Sequence, residues 1–261
     1  MTQDLLVFEI WAPYAVFRRP ETTTTALTFS IIPRSAAEGL VGAILGLQFD
    51  ETPQRLRKSR IAVAPRSPVS KLPFSATYTD TKEIWPKIGM TLRPARKSGS
   101  PKSKRQVMFR TRVKMEFLRA PRYRIYFDDS KDTKDILEDR LRNHETAFTP
   151  YLGSSSMLAN FAYIGRFNYA HIELTNPASV ASVVPFFKQI PKISLEQDVT
   201  FAVEQGLPIH MTSQRESVGT YDAVYNPSGE QLIIMGIEAE RIEMNERDEI
   251  VVFLPTEVAP R

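Results

Sequence analysis

The chemistry that stands out in this sequence is an excess of cationic side chains in one quarter of the chain. Residues 52–115 contain 17 Lys or Arg residues but only two acids, Asp80 and Glu83. This segment carries a charge of +15, which leaves −11 for the rest of a chain whose net charge is +4. Such a basic lobe on an otherwise acidic protein indicates a polyanionic partner on one face, although a solvated lysine-rich loop would have the same composition.

The end of the basic segment alternates as a β-strand does. RKSGSPKSKR (96–105) is typical of a loop tip, and QVMFRTRVKMEFL (106–118) follows it as a strand with one apolar face and one basic face. PRYRIYF (121–127) is expected to pair back with this strand and to add Arg122, Tyr123 and Arg124 to the surface. Cations on an extended ribbon can contact phosphates, and aromatic rings among them can stack on unpaired bases. The basic face is formed by Met108, Arg110, Arg112 and Lys114, and the other face by Val107, Phe109, Thr111, Val113, Met115 and Phe117.

A second group of polar residues precedes a helix near the N-terminus. Residues 35–47 are predicted to be helical, with Ser35 as the N-cap and Glu38 completing a capping box. The free N–H groups at such a helix start can bind a phosphate, and Arg34 lies beside them. The four threonines at 22–25 offer hydroxyl groups to phosphate or ribose oxygens, but they suit an extended connection equally well.

The same helix has a face without bulk. Gly39, Gly42, Ala43 and Gly46 recur every three or four residues, which predicts close packing against that face. A cofactor loop is the weaker alternative, because the GxGxxG spacing is missing. No cofactor is expected.

The sequence offers little for catalysis. His144, His171 and His210 are the only histidines and show no HxH or HExxH spacing, so a metal site is not expected. The absence of cysteine excludes disulfides and thiolate zinc sites. Metal-independent RNA cleavage needs only a base, an acid and a cation near a 2′-hydroxyl, so it stays open as an alternative.

The elements that position these residues follow from the periodicity. Residues 4–11 and 163–174 are predicted strands, and residues 148–161 a turn that leads into a short serine-capped helix. Residues 132–147 are predicted to be an amphipathic helix, capped by Asp132 or Thr133, and its inward side chains are Ile136, Leu137 and Leu141.

This order of elements predicts an α+β fold, compatible with a ferredoxin-like unit that carries a long insertion. The remainder, 180–261, is predicted to be a smaller region of short strands. The first residues have no basic n-region, and no apolar run approaches the roughly 20 residues that span a bilayer. We therefore expect a cytoplasmic protein.

Three stretches resemble the CRISPR-associated RAMP proteins of family five, most closely those of type I-B systems. They are FEIWAPYAVFRRPETTTTALTFSIIPRSAAEGLVGAILG, RTRVKMEFLRAPRYRIYF and HETAFTPYLGSSSMLANF. The resemblance implies an RRM-like domain at 1–178 with a protruding β-hairpin thumb around 93–118, and a smaller β-rich region at 179–261. It also implies a subunit of the Cascade surveillance complex that holds the 5′ handle of the CRISPR RNA (crRNA). Such a subunit abuts the backbone RAMP subunits and the large PAM-reading subunit, and meets target DNA only indirectly.

The resemblance further implies which residues contact RNA, with Met108 as a wedge between nucleotides. One branch of the family, in type I-C systems, cuts precursor RNA and carries an adjacent Lys-His pair after the thumb strand, whereas here Met115 follows Lys114. A non-catalytic subunit is therefore expected. The alternatives are a metal-independent endoribonuclease, the same subunit in a transposon-associated Cascade, and a structural module whose basic lobe binds nothing specific. The expected RNA contacts are Arg18, Arg19, Thr22, Thr23, Thr24, Thr25, Arg34, Ser35, Lys102, Lys104, Arg105, Met108, Arg110, Arg112, Lys114, Arg122, Tyr123, Tyr151, Leu152 and Gly153.

Overall fold

A computed structural model describes residues 3–22, 25–79, 110–193, 200–212, 214, 216–245 and 247–257. The expected contacts Thr23, Thr24, Lys102, Lys104, Arg105 and Met108 lie outside these residues, as does the side chain of Arg110. No helix in the described part of the chain is long and apolar enough to cross a membrane.

The described residues form a mixed α+β fold that is mostly sheet. In chain order the elements are β1 (Gln3–Trp11), β2 (Tyr14–Ala15), β3 (Thr25–Ala26), α1 (Arg34–Leu45), α2 (Thr52–Arg55), β4 (Arg60–Pro65), β5 (Lys71–Thr79), β6 (Arg110–Arg119), β7 (Arg122–Asp128), α3 (Lys131–Asn143), β8 (Asn160–Glu173), β9 (Ala178–Val180), β10 (Val184–Phe186), β11 (Lys192–Ile193), β12 (Ala202–Met211), β13 (Ser217–Tyr225), β14 (Leu232–Met235), β15 (Glu238–Ile242) and β16 (Glu249–Val251).

The largest sheet has nine strands in the order β11-β14-β9-β16-β15-β8-β1-β7-β4. Strand β1 lies between β7 and β8 and is antiparallel to both. Its alternate side chains enter two separate apolar cores, Leu6 and Phe8 on one face and Leu5 and Val7 on the other. Burial on both faces explains why this strand is an almost continuous apolar run.

The two longer helices contribute to one of these cores. Leu40 and Val41 of α1 and Leu137 and Leu141 of α3 all belong to it. The predicted inward position of Ile136 is wrong, because this side chain is 51% exposed. Its neighbour Leu137 is fully buried. The side of α3 that packs on the core therefore includes Leu137 but not Ile136.

Both predicted helix caps are wrong. Helix α1 begins at Arg34, its N-cap residue is Pro33, and no side chain caps it. The Glu38 side chain is instead turned into the interior, where it pairs with Arg34. Helix α3 begins at Lys131, earlier than expected, because the Ser130 side chain accepts a hydrogen bond from the Thr133 N–H.

Two smaller sheets complete the fold, namely β10-β13-β12 and a sheet in which β6 pairs with β2, β3 and β5. The prediction that residues 121–127 pair back with 106–118 is wrong. Strand β7 pairs with β1 and β4 because its alternate residues Tyr123, Ile125 and Phe127 are core side chains that need the central sheet. The antiparallel partner of β6 is β5.

The expected short helix within 148–161 is also absent from these described residues. They form a turn that is closed by a bridge between Tyr151 and Leu158.

Candidate nucleic-acid interface

The β5–β6 pair is an amphipathic ribbon with cations on one face. The register places Ser75 opposite Lys114 and Thr77 opposite Arg112. Residues directly opposite each other project from the same face of a sheet. Arg112 and Lys114 are exposed, and neither forms an ion pair with a described residue. We call these four side chains the basic ribbon face. Two cations that no described residue neutralises, beside hydroxyl groups, suit phosphate and ribose oxygens.

The fold adds one of the predicted threonines to the basic ribbon face. Strand β3 runs parallel to β6 on the edge away from β5, and Thr25 is the register partner of Lys114. Ser75, Lys114 and Thr25 therefore form one row across three strands. The other face of the ribbon is apolar, with Phe74 and Phe117 in ring contact at 5.6 Å between centroids.

The arginine pair before the threonines divides into one exposed and one partly buried residue. Arg18 is exposed and has no ion-pair partner among the described residues. Arg19 pairs with the buried carboxylate of Glu204, which also accepts a hydrogen bond from the Ser30 N–H at 2.8 Å. The Arg19 guanidinium lies 5.0 Å from the centroid of the Phe29 ring. Arg18 is thus available to a partner, whereas Arg19 neutralises a buried charge.

Arg34 is buried, so the expectation of an exposed cation at the start of α1 is wrong. Its guanidinium donates to the backbone carbonyl oxygens of Arg57 at 3.2 Å and Ser59 at 2.6 Å, and pairs with Glu38 at 3.0 Å. Burial lowers the pKa of Arg34, and Glu38 opposes that shift. Arg34 therefore fixes α1 to the segment that precedes β4. Ser35, next to it, is half-buried.

Tyr123 is likewise buried, which contradicts its expected place on the surface, and the side chain of Leu152, an expected RNA contact, is buried as well. Arg122 is half-exposed, but its Nε donates to Glu9 Oε2 at 2.7 Å and Arg124 Nη2 donates to Glu9 Oε1 at 2.8 Å. Burial alone would raise the pKa of Glu9, but these hydrogen bonds hold it below its ordinary value. Arg122 thus contributes less net charge to the surface than its exposure suggests.

The turn at 151–153 packs on the segment that carries Arg18. The Val16 N–H donates to the Leu152 carbonyl at 3.2 Å. Gly153 has a φ of +85°, and a Cβ at this position would lie 1.8 Å from the Val16 carbonyl oxygen. Only glycine fits this close approach, because another residue would add both a clash and backbone strain. Tyr151 is 46% exposed.

Helix α1 and this turn border a cavity of about 430 Å³, which we call the α1 groove. Ser35, Gly39, Phe49, Phe148 and Tyr151 are among its lining residues. The sequence pattern did not single out Phe49 or Phe148. The only signal for either is that it is a large apolar residue within an otherwise polar turn.

The close packing predicted for the small-residue face occurs at only part of it. A Cβ on Gly42 would lie 2.6 Å from the Thr52 Cγ2 atom, so this position is filled by its neighbour. A Cβ on Gly39 would meet nothing within 4 Å. The face is therefore packed at Gly42 and open to the α1 groove at Gly39.

Each of the three histidines has a structural partner. Buried His210 places Nδ1 2.9 Å from Glu38 Oε1 and Nε2 2.7 Å from the Thr256 carbonyl oxygen. His171 lies 3.3 Å from a Glu240 oxygen, and the His144 ring contacts Phe161. Among the described residues, no group of three or more His, Cys, Asp or Glu side chains could hold a metal ion.

Fold and surface together define a mixed α+β protein with a two-faced, partly cationic ribbon. A family model described as "CRISPR-associated protein (Cas_Cas5)" matches residues 5–221, which is most of the chain. This protein therefore belongs to the Cas5 family of CRISPR-associated proteins.

The chain is also similar to several solved structures. One is described as "CRISPR RNA-guided surveillance complex", with 12% sequence identity, a TM-score of 0.47, and coverage of 90% of this chain and 91% of the other. Another is a CRISPR protein from Archaeoglobus fulgidus, with 15% identity, a TM-score of 0.49, and coverage of 95% and 98%. The comparison with curated proteins gave no match.

Proposed function

We propose that this protein is the Cascade subunit that binds the 5′ handle of crRNA in a type I-B CRISPR system. The observation that carries the proposal is the basic ribbon face, on which Arg112 and Lys114 are exposed without an ion-pair partner among the described residues. The hydroxyl groups of Ser75, Thr77 and Thr25 lie in register beside them. Membership of the Cas5 family makes CRISPR RNA the natural polyanion for this surface.

In this proposal the body of the protein is an RRM-like domain and the β5–β6 ribbon is the base of the thumb. The basic ribbon face and Arg18 contact the sugar-phosphate backbone of the handle. Backbone RAMP subunits and the large PAM-reading subunit are the protein partners. Sequence recognition of the target belongs to guide pairing, so target DNA is met indirectly.

We also propose that the subunit does not cut RNA. Met115 follows Lys114, where the RNA-cleaving branch of the family has histidine. His210 is buried against Glu38, so its ring is not placed to act as a base on RNA. A separate nuclease would supply the mature crRNA.

The experiment is a comparison of two RNAs of equal length and composition. One carries the 5′ handle from the repeat of the protein's own CRISPR locus, and the other carries the same bases in reversed order. With the other Cascade subunits present, we expect the handle RNA to bind at least tenfold more tightly than the reversed RNA. Equal affinities would contradict handle recognition and would leave only a general affinity for polyanions.

A further inference from the structure

The α1 groove is lined by apolar and small side chains. Its floor is the open face of α1 at Ala36, Gly39 and Ala43. Of the described residues that line it, none is Lys or Arg, and Glu38 is the only one that carries a charge. That carboxylate is almost fully buried, 3.0 Å from Arg34 and 2.9 Å from His210. The interior of the groove therefore offers a phosphate no cation.

Three large rings border the same concave surface while remaining accessible to solvent. Phe49, Phe148 and Tyr151 are 52%, 44% and 46% exposed, respectively. A volume of about 430 Å³ lies within the range of ligand sites, which is roughly 300–1,000 Å³. Buried anchors of protein interfaces occupy concave sites of this kind, with aromatic and apolar walls. The groove is therefore shaped for a bulky apolar group.

The charge at the rim of the groove indicates which residues should flank that apolar group in a binding partner. The two loops that form the outer walls, residues 46–53 and 144–153, contain Asp50, Glu51 and Glu145 but no Lys or Arg. Asp50 and Glu145 are exposed. Arg140 also lies close to this rim and keeps its positive charge, with its guanidinium donating to the Ile44 carbonyl oxygen at 2.6 Å. The three carboxylates of these loops outnumber that cation, which disfavours a phosphate backbone and favours a cationic segment.

We propose that the α1 groove binds a protein segment with one bulky apolar side chain flanked by Lys or Arg residues. The apolar side chain lies on the open face of α1 at Gly39, between the exposed rings, and its cationic neighbours face Asp50 and Glu145. This inference rests on the proposed function only in that another Cascade subunit would supply the segment. It assigns the surface at Ser35 and Tyr151 to a protein, while the basic ribbon face remains the surface for RNA.

The test uses the full-length protein as bait for a random heptapeptide library displayed on phage. The blocking variant is Gly39→Leu, whose side chain would enter open space, and the matched control is Gly39→Ala. We expect wild type and Gly39→Ala to enrich peptides with one large apolar residue between Lys or Arg residues. A synthetic copy of an enriched peptide should bind Gly39→Leu at least tenfold more weakly. If Gly39→Leu does not fold, the double variant Asp50→Lys/Glu145→Lys should weaken that peptide at least threefold.

Four results would overturn the proposal. The first is enrichment of acidic or charge-free peptides, and the second is equal peptide binding by wild type, Gly39→Leu and the double variant. The third is a tenfold loss of handle-RNA affinity in Gly39→Leu but not in Gly39→Ala, which would make the groove an RNA site and leave the proposed function intact. Wild-type self-association that Gly39→Leu abolishes would also overturn it, with a second copy as the occupant. Failure of wild type to bind handle RNA would instead contradict the proposed function alone.

Discussion

Charge reversal on the basic ribbon face should weaken RNA binding by an amount that follows from counterion release. We consider the double variant Arg112→Glu/Lys114→Glu, in which both exposed cations are replaced. Each cation that neutralises a phosphate of single-stranded RNA contributes about 0.7 to the slope of log affinity against log salt. Loss of two contacts should therefore lower the magnitude of the slope by about 1.4. Relative to wild type, the variant should then lose roughly 25-fold more affinity at 0.1 M salt than at 1 M.

The assay is a titration of labelled handle RNA with protein at five salt concentrations between 0.05 M and 0.5 M. The matched control is Arg57→Glu/Lys131→Glu, which makes the same charge change at two exposed side chains outside the ribbon. Neither side chain forms an ion pair with a described residue. The control should shift the affinity by about threefold or less and leave the slope within about 0.3 of wild type, because only general attraction changes.

Two outcomes would refute this reasoning. A slope that the ribbon variant shares with wild type would mean that Arg112 and Lys114 contact no phosphate. Equal losses for the ribbon variant and the control would mean that the protein attracts RNA only through its overall charge. Far-UV circular dichroism of each variant must match wild type, which we expect because the four side chains are exposed.

Three further predictions concern stability. Gly42→Leu should lower the free energy of unfolding by about 1–3 kcal/mol in denaturant titrations, because its side chain would overlap Thr52; an unchanged midpoint would refute this packing. Gly153→Ala should cost at least about 2 kcal/mol more than Gly236→Ala, since both have positive φ but only Gly153 would place its Cβ against a backbone carbonyl; equal costs would contradict the close approach. The lowered pKa of Glu9 makes its stabilisation complete above the ordinary value of 4.5 and lost as the pH falls through the folded-state value. Glu9→Gln should therefore cost about 2 kcal/mol at pH 7 and progressively less below pH 4.5, and a pH-independent cost would be the contrary result.

Local pattern predicted the long strands and helices but wrongly predicted a short helix within 148–161, and it did not predict which strands pair. The apolar run at 4–11 and the alternation at 106–118 predicted β1 and β6, because burial sets side-chain period directly. The partner of β6 could not be predicted in this way. Strands β5 and β7 both have suitable sequences, and the choice depends on β7 completing the central sheet.

The candidate site was predicted unevenly for the same reason. The exposure of Arg112 and Lys114 follows from strand alternation. Arg34, in contrast, is a charged residue beside a helix start, and the sequence alone would place it on the surface. Its burial depends on Glu38 and on two carbonyl groups from a later segment. The α1 groove could not be predicted, because Phe49 and Phe148 meet only after the chain has folded.

The most direct test of the central claim is a single gel with purified protein, EDTA and labelled repeat RNA, read for both retention and cleavage. A non-catalytic handle-binding subunit should retain RNA that contains the 5′ handle and leave its length unchanged. A discrete cut at the base of the repeat hairpin would contradict the account and would identify the protein as the metal-independent endoribonuclease of its system.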